Sequence, residues 1–199
     1  MVSSFFMLNW ENYFKKHLNR KIREHLIKAT SFCSKRDSAL DLGSGTFIES
    51  KFLIENGFGV VVAIDNSIES KKLAQIYLNN KLDFRNISFN EYYYPKNTFN
   101  LINAQFSLPF YGKDNFTDFV DKIINSLKPE GVFVGQFFGV KDSWNVSESK
   151  LIFHTKEEVL NIFLDFEILE FEEEEKDELA SDGNLKHWHI FHFIAKYKI

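Results

Sequence analysis

Residues Ala39–Ser50 read ALDLGSGTFIES, and the reading of this stretch decides the fold. The apolar run Ser38–Leu42 predicts a short strand that stops at Gly43 and Gly45. Glycine at a strand end lets the chain turn sharply and lets a ligand approach the backbone closely. Lys51–Asn56 predicts the body of the following helix, which Gly57 and Gly59 break. The next run, Val60–Ile64, is almost entirely β-branched, as suits a central parallel strand buried on both faces. It ends in Asp65, 24 residues after Asp41. An acid at that place accepts hydrogen bonds from the hydroxyls of a ribose. The two turns together read as a nucleoside site.

Outward from this core the alternation continues. Asn66 is read as the cap of a helix carrying Ile68, Leu73, Ile76 and Tyr77, with Glu69 three residues after the cap. Leu82–Phe89 and Thr98–Ala104 predict further strands. Phe116, Phe119, Val120, Ile123, Ile124 and Leu127 mark a helix that Pro129 and Gly131 stop. Val132–Phe138 is another apolar strand, and Thr155 with Glu158 forms a capping box before Val159, Leu160 and Phe163. The runs Phe166–Glu175 and His187–Lys196, separated by a polar loop at Asp182–Gly183, are too close for a parallel crossover and predict a hairpin. Towards the amino terminus, Trp10, Phe14, Leu18, Ile22, Leu26, Ala29 and Cys33 recur at helical spacing, with Asn9 as the cap. The expected fold is α/β: seven strands, mostly parallel, between two layers of helices, closed by an antiparallel C-terminal hairpin.

Composition narrows the function. The 199 residues read as one domain, 1–199, with residues 1–35 a helical extension over the site. A net charge of -4 argues against a nucleic-acid partner, although Lys and Arg cluster between Lys15 and Lys35. Cys33 is the one cysteine, which fits a reducing, cytoplasmic setting. MVSSFFMLNWE lacks the basic start and long apolar core of a signal peptide, and no run of apolar residues suits a membrane span. The 23 phenylalanines leave aromatic rings over for clefts as well as for the core.

The glycine pattern does not by itself choose between two nucleoside families. A dinucleotide fold wants its third glycine at position 48, which is Ile48, and a methyltransferase wants it at position 47, which is Phe47. Several blocks in order make the choice. ALDLGSG and VVAIDNS resemble the first two motifs of the class I S-adenosylmethionine-dependent methyltransferases. NISF (86–89), FNLINAQF (99–106), LKPEGVFVGQFFG (127–139) and the closing KHWHIFHFIAKYKI resemble the third, fourth and fifth motifs and the family's antiparallel strand. The nearest resemblance is to small bacterial enzymes of the tellurite-resistance type, which methylate small molecules.

The resemblance implies a Rossmann-like three-layer sandwich and S-adenosylmethionine as cofactor. It assigns cofactor binding to Asp41, Gly43, Gly45, Asp65, Asn66, Ser88, Phe89 and Asn103, with Tyr13 and Trp10 closing over it unless they form a core-facing stripe. Ser88 and Asn103 stand where the family often has acids. Acceptor contacts fall to the loops Phe106–Tyr111 and Phe138–Trp144 and to His187 and Trp188, with Phe106 and Trp144 at the loop ends. Methyl transfer from a sulfonium is an in-line displacement that needs chiefly positioning, and no residue is marked as catalytic. His187 and His189 share a strand face but lack a third ligand, so no metal is expected. His192 reads as a core histidine, and Glu172–Glu175 as a charged edge strand. The expected partner is a small-molecule acceptor, with no nucleic acid or membrane, and the chain a monomer or weak homodimer. A binding protein whose pocket has decayed, a nicotinamide-type oxidoreductase and a macromolecular methyltransferase are the competing readings.

Overall fold

The computed structural model describes residues 10–77, 80–112, 114–180 and 183–198, with side chains from residue 13 onward. One sheet organises the molecule. Its strands are β1 (Ser38–Leu42), β2 (Val60–Ile64), β3 (Leu82–Arg85), β4 (Phe99–Ala104), β5 (Leu127–Gly139), β6 (Phe153–His154), β7 (Phe166–Leu179) and β8 (Leu185–Tyr197). They lie in the order β3-β2-β1-β4-β5-β8-β7, with β6 on the end of β5. The pairings from β3 to β5 are parallel, and β8 runs antiparallel to both β5 and β7. This is the expected parallel sheet with a terminal hairpin, but with eight strands instead of seven. The extra strand is β6, whose Phe153 and His154 register against Phe138 and Gly139. Two residues carry no periodicity to read.

The helices are α1 (Trp10–His17), α2 (Glu24–Phe32), α3 (Ile48–Glu55), α4 (Ile68–Tyr77), α5 (Phe116–Ser126) and α6 (Lys156–Ile162). Alternate residues of each strand serve the two faces. Leu40, Leu42, Ile102 and Phe193 pack with Phe119 and Ile123 of α5 and Val159 of α6. On the other face Ala39, Val61, Leu101 and Ile194 pack with Leu26 of α2, Leu53 of α3 and Ala74 of α4. The core is therefore two layers of side chains, one on each side of the sheet.

Several boundaries differ from expectation: β5 begins at Leu127, read above as the last residue of the helix, and not at Val132, and β7 runs on past Glu175 to Leu179 along its pairing with β8. The N-terminal helical pattern is broken in two, because Arg23 is extended (φ -70°, ψ 134°). Arg20 and Arg23 beside the break both pair with Glu49 in the first turn of α3. Strand β3 stops at Arg85 instead of Phe89, since the Asn86 amide turns back to donate to the carbonyls of Asp65 and Ser67. The cap of α4 is Ser67, whose hydroxyl accepts from the Ser70 N–H, and not Asn66. The Thr155–Glu158 capping box of α6 forms as expected. Asn9 lies outside the described residues, as does the side chain of Trp10.

Candidate active site

The turn after β1 is held by its neighbour β2. The N–H groups of Gly43 and Ser44 both donate to the Ile64 carbonyl, at 2.8 and 3.1 Å. Gly43 has φ +74°, and a Cβ there would come within 2.7 Å of Ser107 Cβ, so both backbone shape and space demand glycine. The Asp65 carboxylate accepts the Gly45 N–H at 3.0 Å on one oxygen and the Ser67 N–H at 2.8 Å on the other. The Ser67 hydroxyl adds a further bond to that second oxygen. A carboxylate has about four lone-pair positions, and these three bonds fix Asp65 against the turn while leaving one position for a further donor.

Phe47 takes the left-handed backbone (φ 61°) that a third glycine would supply. That conformation costs about 1–2 kcal/mol for a residue with a side chain. Its ring is 1% exposed and packs on Phe84 and Tyr77 beneath the turn. Burial of a phenylalanine contributes about 1.5–3 kcal/mol and offsets the strain. The ring lines no cavity at the site.

Above the turn lies a cavity of about 470 Å³. It spans the carboxyl ends of the parallel strands, from Ile87 and Ser88 past Asp65 and Asn66, over Gly43 and Gly45, to Gln105 and Phe106. Phe89 contributes a ring stacked on Phe119, and Tyr13 of α1 closes the opposite side. Ser88 spends its hydroxyl and N–H on Glu91, and these bonds hold the Glu91 carboxyl below its ordinary range. The Ser107 hydroxyl is buried in the cavity wall without a hydrogen-bond partner among the described residues. A buried orphan hydroxyl costs free energy unless a ligand satisfies it, so the wall suits a polar guest.

Asp41 and Asn103 do not line this cavity. They lie one layer below, where the Ser50 hydroxyl and the Asn103 amide donate to the two oxygens of Asp41. Complete burial, reinforced by nearby Glu49, pushes the Asp41 carboxyl up to about 6. From Asn103 the hydrogen bonds continue sideways through Gln105 to Gln136, whose carbonyl oxygen accepts the Phe106 N–H. Gln136 also meets His192 Nδ1 at 3.3 Å, and His192 Nε2 lies 2.8 Å from Glu174. A Gln136 N–H directed at Nδ1 places the imidazole proton on Nε2, facing Glu174. His192 is thus the satisfied core histidine anticipated, and β7 is the edge strand. Gln105 and Gln136 escaped notice because an isolated glutamine in an apolar strand has no periodicity of its own.

A second cavity of about 390 Å³ shares Tyr13, Arg23, Phe106 and Phe110 with the first. Its other walls include Phe138, Trp144 and Trp188. The structure brings Phe106, Trp144 and Trp188, three of the residues expected to contact the acceptor, together in this one cavity. His187 does not: it pairs with Asp177 and Glu175 on β7, which raises its pKa. His189 is also spent, between the Lys141 N–H and Glu173, with its ring directly over Gly139. Arg23, with its guanidinium 4.9 Å from the Phe106 ring centre, and His17 were not anticipated. His17 Nδ1 lies 2.7 Å from the Tyr13 carbonyl. A carbonyl can only accept, so the neutral ring keeps its other nitrogen as an acceptor.

With this geometry in place, comparison with known proteins is decisive. Residues 40–135 match the family model described as "Methyltransferase domain". The chain carries a methyltransferase domain. No sequence among the curated proteins matches it significantly. The structure of TehB from Haemophilus influenzae is similar with TM-score 0.73 at 17% identity, over 95% of this chain and 67% of that one. A Burkholderia thailandensis 1,6-didemethyltoxoflavin-N1-methyltransferase, solved with its acceptor and S-adenosylhomocysteine, gives TM-score 0.61 at 16% identity over 88% and 79%. A Methanosarcina mazei SAM-dependent methyltransferase gives 0.64 at 18% over 85% and 96%. The family match favours the methyltransferase reading over the dinucleotide one. No described helix is long and apolar enough to cross a membrane.

Proposed function

We propose that this methyltransferase carries the methyl group of S-adenosylmethionine to a small-molecule acceptor seated in the second cavity. The observation that supports this reading is the shared wall of Tyr13, Arg23, Phe106 and Phe110, across which the two cavities meet. S-adenosylmethionine supplies a methyl already activated by positive sulfur, so the protein's task is to align it with the acceptor. Asp65 and Asn66 receive the ribose, Ile87, Ser88 and Phe89 the adenine, and the Gly43–Gly45 turn lets the cofactor lie against the backbone. Ser107 and Gln105 offer polar groups beside β4 for the amino-acid end of the cofactor. Asp41 and Asn103 support the floor from below. In the second cavity His17 is the one imidazole, with Nδ1 turned to the Tyr13 carbonyl and its other nitrogen left as an acceptor, and it takes the proton of a methyl acceptor that carries one. The acidic balance and the single cysteine support a cytoplasmic enzyme that does not act on nucleic acid.

Calorimetric titration with S-adenosylmethionine and S-adenosylhomocysteine tests this reading. Both bind the wild type, and Asp65→Ala weakens them by about 1–3 kcal/mol through loss of charged hydrogen bonds. Unchanged affinity in that variant, or no binding to the wild type, overturns the assignment.

A further inference from the structure

The second cavity carries chemical information about its guest. Its walls are dominated by rings: Phe106, Phe110, Phe138, Trp144 and Trp188. Flat aromatic walls favour a flat guest, which stacks or meets them edge to face. Among the described residues that line it, Lys16 and Arg23 are cationic and none is acidic; Arg20 and Arg23 share the single carboxylate of Glu49, so that cluster keeps a net positive charge. The positive sulfur of the donor adds a further charge of the same sign on the side where the two cavities meet.

The rings themselves are not available as a cage for a cation. Lys186, 2% exposed, sits behind them with its ammonium 3.7 Å from the Trp188 ring centre, 4.4 Å from Trp144 and 5.5 Å from Phe138. Cation–π attraction draws on the negative potential of the ring face, and Lys186 already draws on all three. The lysine is held there by Asp142, whose side chain is fully buried. Asp142 also accepts the N–H of Trp144 at 2.9 Å and of His189 at 3.3 Å. One buried ion pair thus fixes both tryptophan-bearing segments and sets its ammonium against the backs of their rings.

We infer that the acceptor is a planar, conjugated molecule bearing a negative charge, such as an aromatic or heteroaromatic carboxylate. The inference rests on the second cavity being the acceptor side, as proposed above. A cationic amine meets Lys16, Arg23, the donor sulfonium and rings already committed to Lys186. An aliphatic acid of the same charge gains no stacking.

Three probes separate these cases: indole-3-carboxylate, 3-(aminomethyl)indole and cyclohexanecarboxylate. Each is titrated into the protein with and without saturating S-adenosylhomocysteine. Indole-3-carboxylate binds about tenfold tighter or more than either comparator, a gap of about 1.4 kcal/mol. Trp188→Leu narrows the gap over cyclohexanecarboxylate, by loss of a stacking ring, while S-adenosylhomocysteine affinity of the folded protein is retained. Equal or tighter binding of the amine overturns the charge assignment, and equal binding of cyclohexanecarboxylate overturns the planar one. Binding of none of the three, with S-adenosylhomocysteine bound normally, overturns the class while the cofactor reading stands. Failure of S-adenosylhomocysteine alone, with the carboxylate still preferred, overturns the cofactor reading and with it the role of acceptor, leaving the second cavity as a binding site for planar acids.

Discussion

Phe47 shows how one side chain answers two demands that usually call for different residues. The turn needs a left-handed backbone, and the layer beneath it needs apolar bulk against Phe84 and Tyr77. Phe47→Ala keeps the strained backbone and empties the ring's place, so stability falls by about 3–5 kcal/mol in urea titration. Cofactor affinity, measured on the folded fraction, stays within about twofold, since the ring lines no cavity and only binding-wall changes shift affinity strongly. Asp41 makes a different prediction, in pH. Its folded pKa of about 6 lies above the ordinary aspartate value of 3.8. The native state then holds the proton more tightly than the unfolded chain, so stability is fullest below about pH 4 and is lost as pH rises through about 6. Asp41→Asn removes this titration. Between pH 4 and pH 7 the variant gains up to about 3 kcal/mol relative to the wild type, as an order of magnitude. Parallel stability–pH curves for the two proteins show that Asp41 ionises without cost.

At the scale of elements, β5 and β8 come together where Gly139 meets His189. A Cβ on Gly139 would fall 1.9 Å from the imidazole Nδ1. Gly139→Ala displaces the ring, breaks its bond to the Lys141 N–H and costs about 2 kcal/mol or more as an overpacking change. In a His189→Ala background the same change costs much less, so a double-mutant cycle on unfolding free energies shows coupling above about 0.5 kcal/mol. Additive costs exclude the contact. The periodicities of the helices and strands were legible element by element, and the parallel order followed from their alternation. The break between α1 and α2 was not legible. It depends on Glu49, more than twenty residues away, gathering Arg20 and Arg23. The third strand was overextended because Asn86, whose amide ends it, looks like any polar residue in an apolar run.

Across the whole molecule, a chain of polar side chains crosses the sheet from Ser50 and Asp41 through Asn103, Gln105, Gln136 and His192 to Glu174. It ties the cofactor turn to the edge strand on the face that carries α2, α3 and α4. His25 of α2 stacks on His192 at 4.5 Å, and burial lowers its pKa. Gln136→Leu orphans the Phe106 N–H at the junction of the two cavities, and each buried orphan costs about 1–3 kcal/mol. Chemical unfolding registers the loss, and S-adenosylhomocysteine affinity falls as the Phe106 backbone shifts. An unchanged midpoint shows that the chain carries no structural weight.

The sequence by itself determined the alternation of strands and helices, the nucleoside turn at Gly43–Gly45 with Asp65, and the hairpin. These follow from local rules: side-chain period, capping and the shape of a turn. Tertiary structure alone decided which side chains face the ligand. It drew Asp41 and Asn103 down into the floor, spent His187 on the edge strand, and raised Arg23 to the wall between the cavities and His17 to the lining of the second. Facing is a property of how distant elements pack, because a side chain's partners across a sheet are fixed by register and approach and not by its neighbours in the chain.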